Sequence, residues 1–220
     1  DIHHIKNVMR MKSGNIIECI YEEKLYLCEI INIENNLFKI TEQLPDYNEL
    51  KMDITIAIAL VKEQKMDLIL QKLTELGINK IIPLQMTRSI IKIDSKKEAK
   101  KLARWTSICK EAAEQSKRNI IPEVTNIKTL KELITTTTDI TKKYICSVAN
   151  KENLINNYLQ NNNNYDKMLF VIGPEGGITA MEESLLNENG FTSVSLGNRV
   201  MRVETAAIYI ASIVNYSSMG

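Results

Sequence analysis

An α/β domain built on a mainly parallel sheet, preceded by a small β-barrel, is the fold this sequence predicts, and three observations predict it. Residues 1–50 hold short, closely spaced strand-like runs. Beyond about Leu50, strand-like and helix-like segments alternate, the pattern of parallel strands covered by helices. Two glycine-bearing turns then fall between Gly173 and Thr205, each after a strand-like segment, where an α/β sheet keeps its ligand cleft.

In chain order, Ile16–Ile20, Lys24–Ile33 and Leu37–Thr41 are rich in Ile, Leu, Tyr and Phe and are separated by Ser13-Gly14-Asn15 and Glu34-Asn35-Asn36. Strands this short and close suit a small barrel. Pro45-Asp46-Tyr47-Asn48 reads as a linker, so the domains are placed at 1–50 and 51–220. Ile54–Val61 is nearly all apolar, as a strand covered on both faces should be. Met66, Ile69, Leu70, Leu73 and Leu76 share one helical face that stops at Gly77. A strand follows at Asn79–Leu84, a long helix at Lys96–Ser116 and a helix at Ile127–Ile134. Strands at Tyr144–Ala149 and Met168–Ile172 lead into the glycine turns.

Composition narrows the class. The 220 residues are 44% apolar and 25% charged, enough for a sizeable core, with a formal net charge of +1. The charge is uneven: residues 1–50 carry five Lys/Arg against nine Asp/Glu, whereas Met86–Lys131 carry twelve against five. That basic middle suits a phosphate backbone, or else a solvated lysine-rich face. The four cysteines show no C-x-x-C spacing and do not group with the two histidines, so reduced thiols, no metal and a cytoplasmic location are expected. No apolar run reaches membrane-spanning length and no signal-peptide pattern opens the chain. The chain begins at Asp1, so a few residues are expected to precede it.

The first turn, Gly173-Pro174-Glu175-Gly176-Gly177, lacks the G-K-[ST] of a P-loop and the G-x-G-x-x-G of a dinucleotide fold, which excludes both. Thr179 and Glu182 after it have capping-box spacing. The second turn runs from Leu196-Gly197 through Asn198–Val203 with two arginines, and Glu204-Thr205-Ala206 opens the last helix. After Glu204 no charged side chain occurs, so that helix is expected in a core or a subunit interface.

Several motifs in order carry a resemblance. His3-His4 with Asn7-Val8-Met9-Arg10, Lys72–Gly77, Thr87-Arg88-Ser89, Arg104-Trp105, Glu111–Arg118, Ile121-Pro122, Ile172–Gly177 and Ser195–Ala207 together resemble the RsmE family, the 16S ribosomal RNA uridine N3-methyltransferases of the SPOUT superfamily. The resemblance implies a PUA-like barrel that assists RNA binding and a SPOUT-type α/β domain closed by a C-terminal deep trefoil knot. It also implies a homodimer, 16S rRNA or the small ribosomal subunit as partner, and S-adenosylmethionine bent within the knot. The matching cofactor positions are Ile172, Gly173, Glu175 and Gly176 in the first turn and Leu196, Gly197, Val200, Met201 and Arg202 in the second. Methyl displacement from a sulfonium needs positioning rather than a metal.

Uracil N3 carries a proton, so the reaction calls for a base or for groups that stabilise the developing anion. Glu175 and Glu204 are the candidate bases, and Arg202, with Arg10 or Arg118, the candidate cation; Glu204 has a structural alternative as a favourable charge at a helix start. The resemblance further points to His3, His4, Arg10, Arg88 and Arg118 as RNA contacts, with Arg118 sharing a helix face with Glu111, Glu114 and Gln115. Two other functions stay open: methylation of another RNA such as tRNA, and RNA binding without catalysis.

Overall fold

The computed structural model describes residues 2, 4–45, 48–149, 152–159 and 167–218, in two compact units, Asp1–Glu49 and Leu50–Gly220. The first opens on a π-helical turn, His4–Val8, and continues as three antiparallel strands, β1 (Ile16–Tyr21), β2 (Lys24–Asn32) and β3 (Leu37–Gln43). Among the described residues these form a three-stranded antiparallel sheet with β1 and β3 at its edges, the small β region expected ahead of the α/β domain. The β1–β2 connection is two residues, Glu22-Glu23, both with positive φ (48° and 61°), the twist that a tight antiparallel hairpin requires. The inward residues Cys28 and Ile30 are buried. Half of the linker expected at 45–48 lies outside the described residues.

The second unit alternates strand and helix as expected: β4 (Asp53–Ala59), α1 (Glu63–Glu75), β5 (Lys80–Leu84), α2 (Ser95–Gln115), β6 (Glu123–Val124), α3 (Leu130–Thr136), β7 (Lys142–Cys146), α4 (Asn156–Leu159), β8 (Lys167–Ile172), α5 (Ala180–Glu188), β9 (Thr192–Val194) and α6 (Val203–Ser217). The six strands lie in the order β6-β5-β4-β8-β7-β9, and every pairing is parallel. Strand periodicity divides the core in two. Ile54, Ile56 and Ile58 of β4, with Met168, Phe170 and Ile172 of β8, pack against α1, α2 and α6. The intervening Ala57 and Ala59, with Leu169 and Val171, face α3 and α5. Burial on both faces is why β4 and β8 read as continuous apolar runs.

Local rules set the helix ends. Helix α1 stops because Gly77 takes φ +90°, and Ile78 N–H reaches back to Leu73 C=O at 3.1 Å. Helix α3 starts at Leu130 rather than Ile127, because Thr129 and Glu132 form a capping box there. Strand β6 and helix α4, of two and four residues, are too short for any periodicity to reveal. No helix among the described residues is long and apolar enough to cross a membrane.

Candidate active site

Strand β8 ends at Ile172, and the chain turns at once. Gly177 N–H bonds to Pro174 C=O at 2.8 Å, closing a tight turn over residues 174–177. Gly173 is needed for space: a Cβ there would lie 2.5 Å from Ile178 Cγ1. Thr179 then caps α5, accepting from Glu182 N–H while Glu182 Oε2 accepts from Thr179 N–H and Oγ1. The other Glu182 oxygen accepts from Thr87 N–H at 2.8 Å, and Arg88 Nη1 donates to Gly176 C=O at 2.8 Å. The segment after β5 is thereby clasped to the first turn. Burial pushes the Glu182 carboxyl up, but these hydrogen bonds outweigh it and hold the group below its ordinary range.

The second turn is built differently. After β9, Ser195 N–H bonds to Asn153 C=O at 2.7 Å and its carbonyl accepts from Ile155 N–H, while its hydroxyl accepts from Gly197 N–H at 3.2 Å. Gly197 takes φ +113°, a conformation that L side chains rarely adopt, yet a Cβ there would meet nothing within 4 Å. Leu196 and Met201 pack on the core, whereas Val200 is 82% exposed.

The two turns face one cavity of about 520 Å³, within the usual range for small-molecule sites. All nine sequence-predicted cofactor positions line it: Ile172, Gly173, Glu175, Gly176, Leu196, Gly197, Val200, Met201 and Arg202. So do Cys146 at the end of β7, Ser147, Val148 and Ala149 after it, and Arg199, none of them anticipated as cofactor positions. Burial pushes the Cys146 thiol up to about 12, so it stays protonated and offers no thiolate nucleophile at neutral pH. Among the described residues no group of three His, Cys, Asp or Glu side chains is placed to hold a metal.

The candidate catalytic groups separate. The Arg202 side chain lies on the wall, exposed, with no side-chain hydrogen bond or ion pair among the described residues, as does that of Arg199. Glu175 also lines the cavity, but Lys65 Nζ sits 3.1 Å from its Oε1. Burial raises the Glu175 carboxyl, while its backbone hydrogen bond, Lys65 and Lys62 together lower it further, and the net position is below the ordinary glutamate range. A carboxylate so held is a poor proton acceptor at neutral pH. Glu204 is not on the cavity wall; it stands in the first turn of α6, where the helix dipole favours it, with Lys65 Nζ at 3.4 Å. Lys65, paired with both candidate bases, is a residue beside the site that the sequence did not single out. Its signal was position: it lies in the first turn after β4, at the carboxyl end of a central strand.

The predicted RNA contacts also sort. Arg118 is a correction: it is 3% exposed, and its Nη1 donates to Thr74 C=O at 3.0 Å and Ile78 C=O at 2.8 Å. Helix α2 ends at Gln115 and Lys117 takes φ 58°, which turns Arg118 inward, away from the exposed Glu111, Glu114 and Gln115. Arg88 is exposed beside the first turn, and Arg10 is exposed in the first unit. His3 lies outside the described residues, as does the side chain of His4.

The cavity fits a nucleoside bearing a cationic arm. Leu196 and Met201 supply apolar contact, the glycine turn lets backbone come close, and Glu175 places a carboxylate on the wall. Comparison with known proteins agrees in kind. Residues 48–215 match the family described as RNA methyltransferase domain, and residues 1–43 the RNA methyltransferase PUA domain. The ribosomal RNA small subunit methyltransferase E of Bacillus subtilis (strain 168) is 37% identical, over 99% of this chain and 88% of its own. A methyltransferase structure from Legionella pneumophila in complex with S-adenosylmethionine superposes with a TM-score of 0.84 at 31% identity, covering 98% of this chain and 88% of that one. The ribosomal RNA small subunit methyltransferase E from Neisseria gonorrhoeae, also bound to S-adenosylmethionine, gives 0.79 at 28% identity, with 98% and 88% covered.

Proposed function

The chain belongs to the RsmE family of small-subunit ribosomal RNA methyltransferases, and from that membership we propose that it methylates N3 of a uridine in 16S rRNA, using S-adenosylmethionine. The single observation that carries the reading is the convergence of both glycine turns on one cavity. When bound, S-adenosylmethionine supplies an activated methyl group on a positively charged sulfur. The protein's share is to hold and orient. Backbone at Gly197, where a Cβ would meet open space, can approach the ligand closely, Leu196 and Met201 exclude water from its apolar parts, and Glu175 favours its cationic arm.

Arg202 takes the main catalytic role. An exposed guanidinium on the cavity wall, with no competing side-chain partner among the described residues, stabilises the negative charge that uracil gains as N3 loses its proton. Glu175, paired with Lys65 and held low, serves binding better than proton abstraction. Arg199, Arg88 and Arg10 are the cations left to hold RNA phosphate.

The same proposal includes a knot, a homodimer, a PUA-like barrel that assists RNA binding and a cytoplasmic location. For the knot, the chain leaves edge strand β9, bonds through Ser195 to the 153–155 segment and returns to α6, packed on α1 and β8. For the dimer, α6 carries no charge after Glu204, yet Tyr216 is 80% exposed and Tyr209 is at its surface too. Mass spectrometry of 16S rRNA from cells with and without the gene tests the substrate: N3-methyluridine should vanish on deletion, and its unchanged presence refutes the assignment.

A further inference from the structure

Lys65 joins three segments that are far apart in the chain. It stands in the first turn of α1; its Nζ lies 3.1 Å from Glu175 Oε1 in the first glycine turn and 3.4 Å from Glu204 Oε2 at the start of α6, directly after the second turn. The side chains are 30%, 32% and 14% exposed in that order, so solvent screens the cluster only in part. The buried Glu204 Oε2 has no hydrogen bond of good geometry among the described residues, which leaves the Lys65 ammonium as what compensates it. One cation thus serves two carboxylates. Without it they would repel, and the more buried of the two would take up a proton or swing outward.

The geometry points to Lys65 as a positioning residue of the cofactor pocket: by holding Glu175 and Glu204 together it locks the first turn to the base of the second. This inference rests on the cofactor reading above. Its consequence is that the spacing between the two cavity walls, and so affinity for an adenosyl ligand, depends on a side chain that does not itself line the cavity. Lys65 is raised above its ordinary range, first by its bond to Glu175, so it stays charged throughout the neutral range. Among the described residues, the other charged groups beside the cluster include Lys62, which acts on Glu175, and Arg202, next but one to Glu204 and there without an ion pair. Glu183, on the same cavity, is bonded to Ser193 Oγ at 2.6 Å.

The test is calorimetric titration of S-adenosylmethionine into the full chain and its variants between pH 5.5 and 8.5, with melting temperatures alongside. Wild type should bind with nearly constant affinity across that range. Lys65→Met should bind about tenfold more weakly at pH 7.5, a modest loss because the pair is partly screened, and should recover as pH falls and one carboxylate is protonated. Lys65→Arg should restore wild-type affinity to within about threefold. Adding Glu204→Gln to Lys65→Met should remove the pH dependence, which a loss of helix packing alone would not do. If Lys65→Met binds like wild type at every pH, or its loss is independent of pH, the positioning role is overturned while the cofactor reading stands. If wild type itself does not bind, it is the cofactor reading that falls.

Discussion

The two turns that form the cavity are held to opposite degrees. The first is fixed from several sides: Gly173 against Ile178, Gly176 C=O under Arg88, Glu175 on Lys65, and α5 capped by a carboxylate that also holds Thr87. The second has an exposed Val200, two arginines whose side chains are unpaired among the described residues, and a glycine whose missing Cβ would meet open space. The difference separates two tasks. A prebuilt wall sets where a ligand sits, and a wall with unused groups is where ligand and RNA can still find partners. Substitutions in the first turn should therefore be felt in stability, and those in the second in binding or turnover.

The strongest test of that division is Arg202→Ala. It should lower kcat about a hundredfold, the scale of losing a charge-stabilising donor, with S-adenosylmethionine affinity changed by less than about threefold and the melting temperature unmoved. Steady-state kinetics with calorimetry measures this, and full activity would remove Arg202 from the mechanism. Next comes Gly173→Ala. Forcing a Cβ against Ile178 should cost about 2 kcal/mol and lower Tm by roughly 4–8 °C. In an Ile178→Ala background the same change should cost much less; an undiminished cost would show that the clash is not the cause.

Gly197→Ala should behave the other way. Its added Cβ meets nothing within 4 Å, but at φ +113° an alanine is strained whatever the space, by about 1 kcal/mol, so Tm should fall by only about 2–4 °C while cofactor affinity falls about tenfold. A large Tm drop with unchanged affinity would erase the distinction between the turns. The smallest effect is at Glu182. Its folded carboxyl lies below the ordinary value of 4.5, so its contribution is fully present above that pH and is lost as pH falls through the lower folded value. Glu182→Gln should destabilise by about 1 kcal/mol at pH 7, and the gap to wild type should narrow as pH falls below 4.5, so that it is smaller in melts at about pH 3. Denaturant melts at the two pH values decide it, and a gap that persists in acid would contradict the charge assignment.

What the sequence disclosed follows the same physical line. The strands β4 and β8, the stop at Gly77 and the Thr179 cap were legible because each depends on neighbours in the chain. The cavity residues were reached through motifs and resemblance, and they do line one cavity. What stayed hidden depends on partners distant in sequence. Nothing around Lys65 announces Glu175 and Glu204, and nothing around Arg88 announces the carbonyl of Gly176. Arg118 read as a free cation because its inward turn is set by a left-handed Lys117 after the helix, and its acceptors, the carbonyls of Thr74 and Ile78, lie about 40 residues earlier in the chain, at the C-terminal end of α1 and just beyond it. Strand spacing disclosed the small β region ahead of the α/β domain, and it fixes strand length but not closure.

Calorimetric titration of S-adenosylmethionine into the unmodified protein tests the central claim, that both turns make one cofactor pocket, most directly. The account expects saturable binding at one site per chain well below 1 mM cofactor, a threshold near the weak end of useful affinities. No detectable heat up to about that concentration, from protein that melts cooperatively, would contradict it.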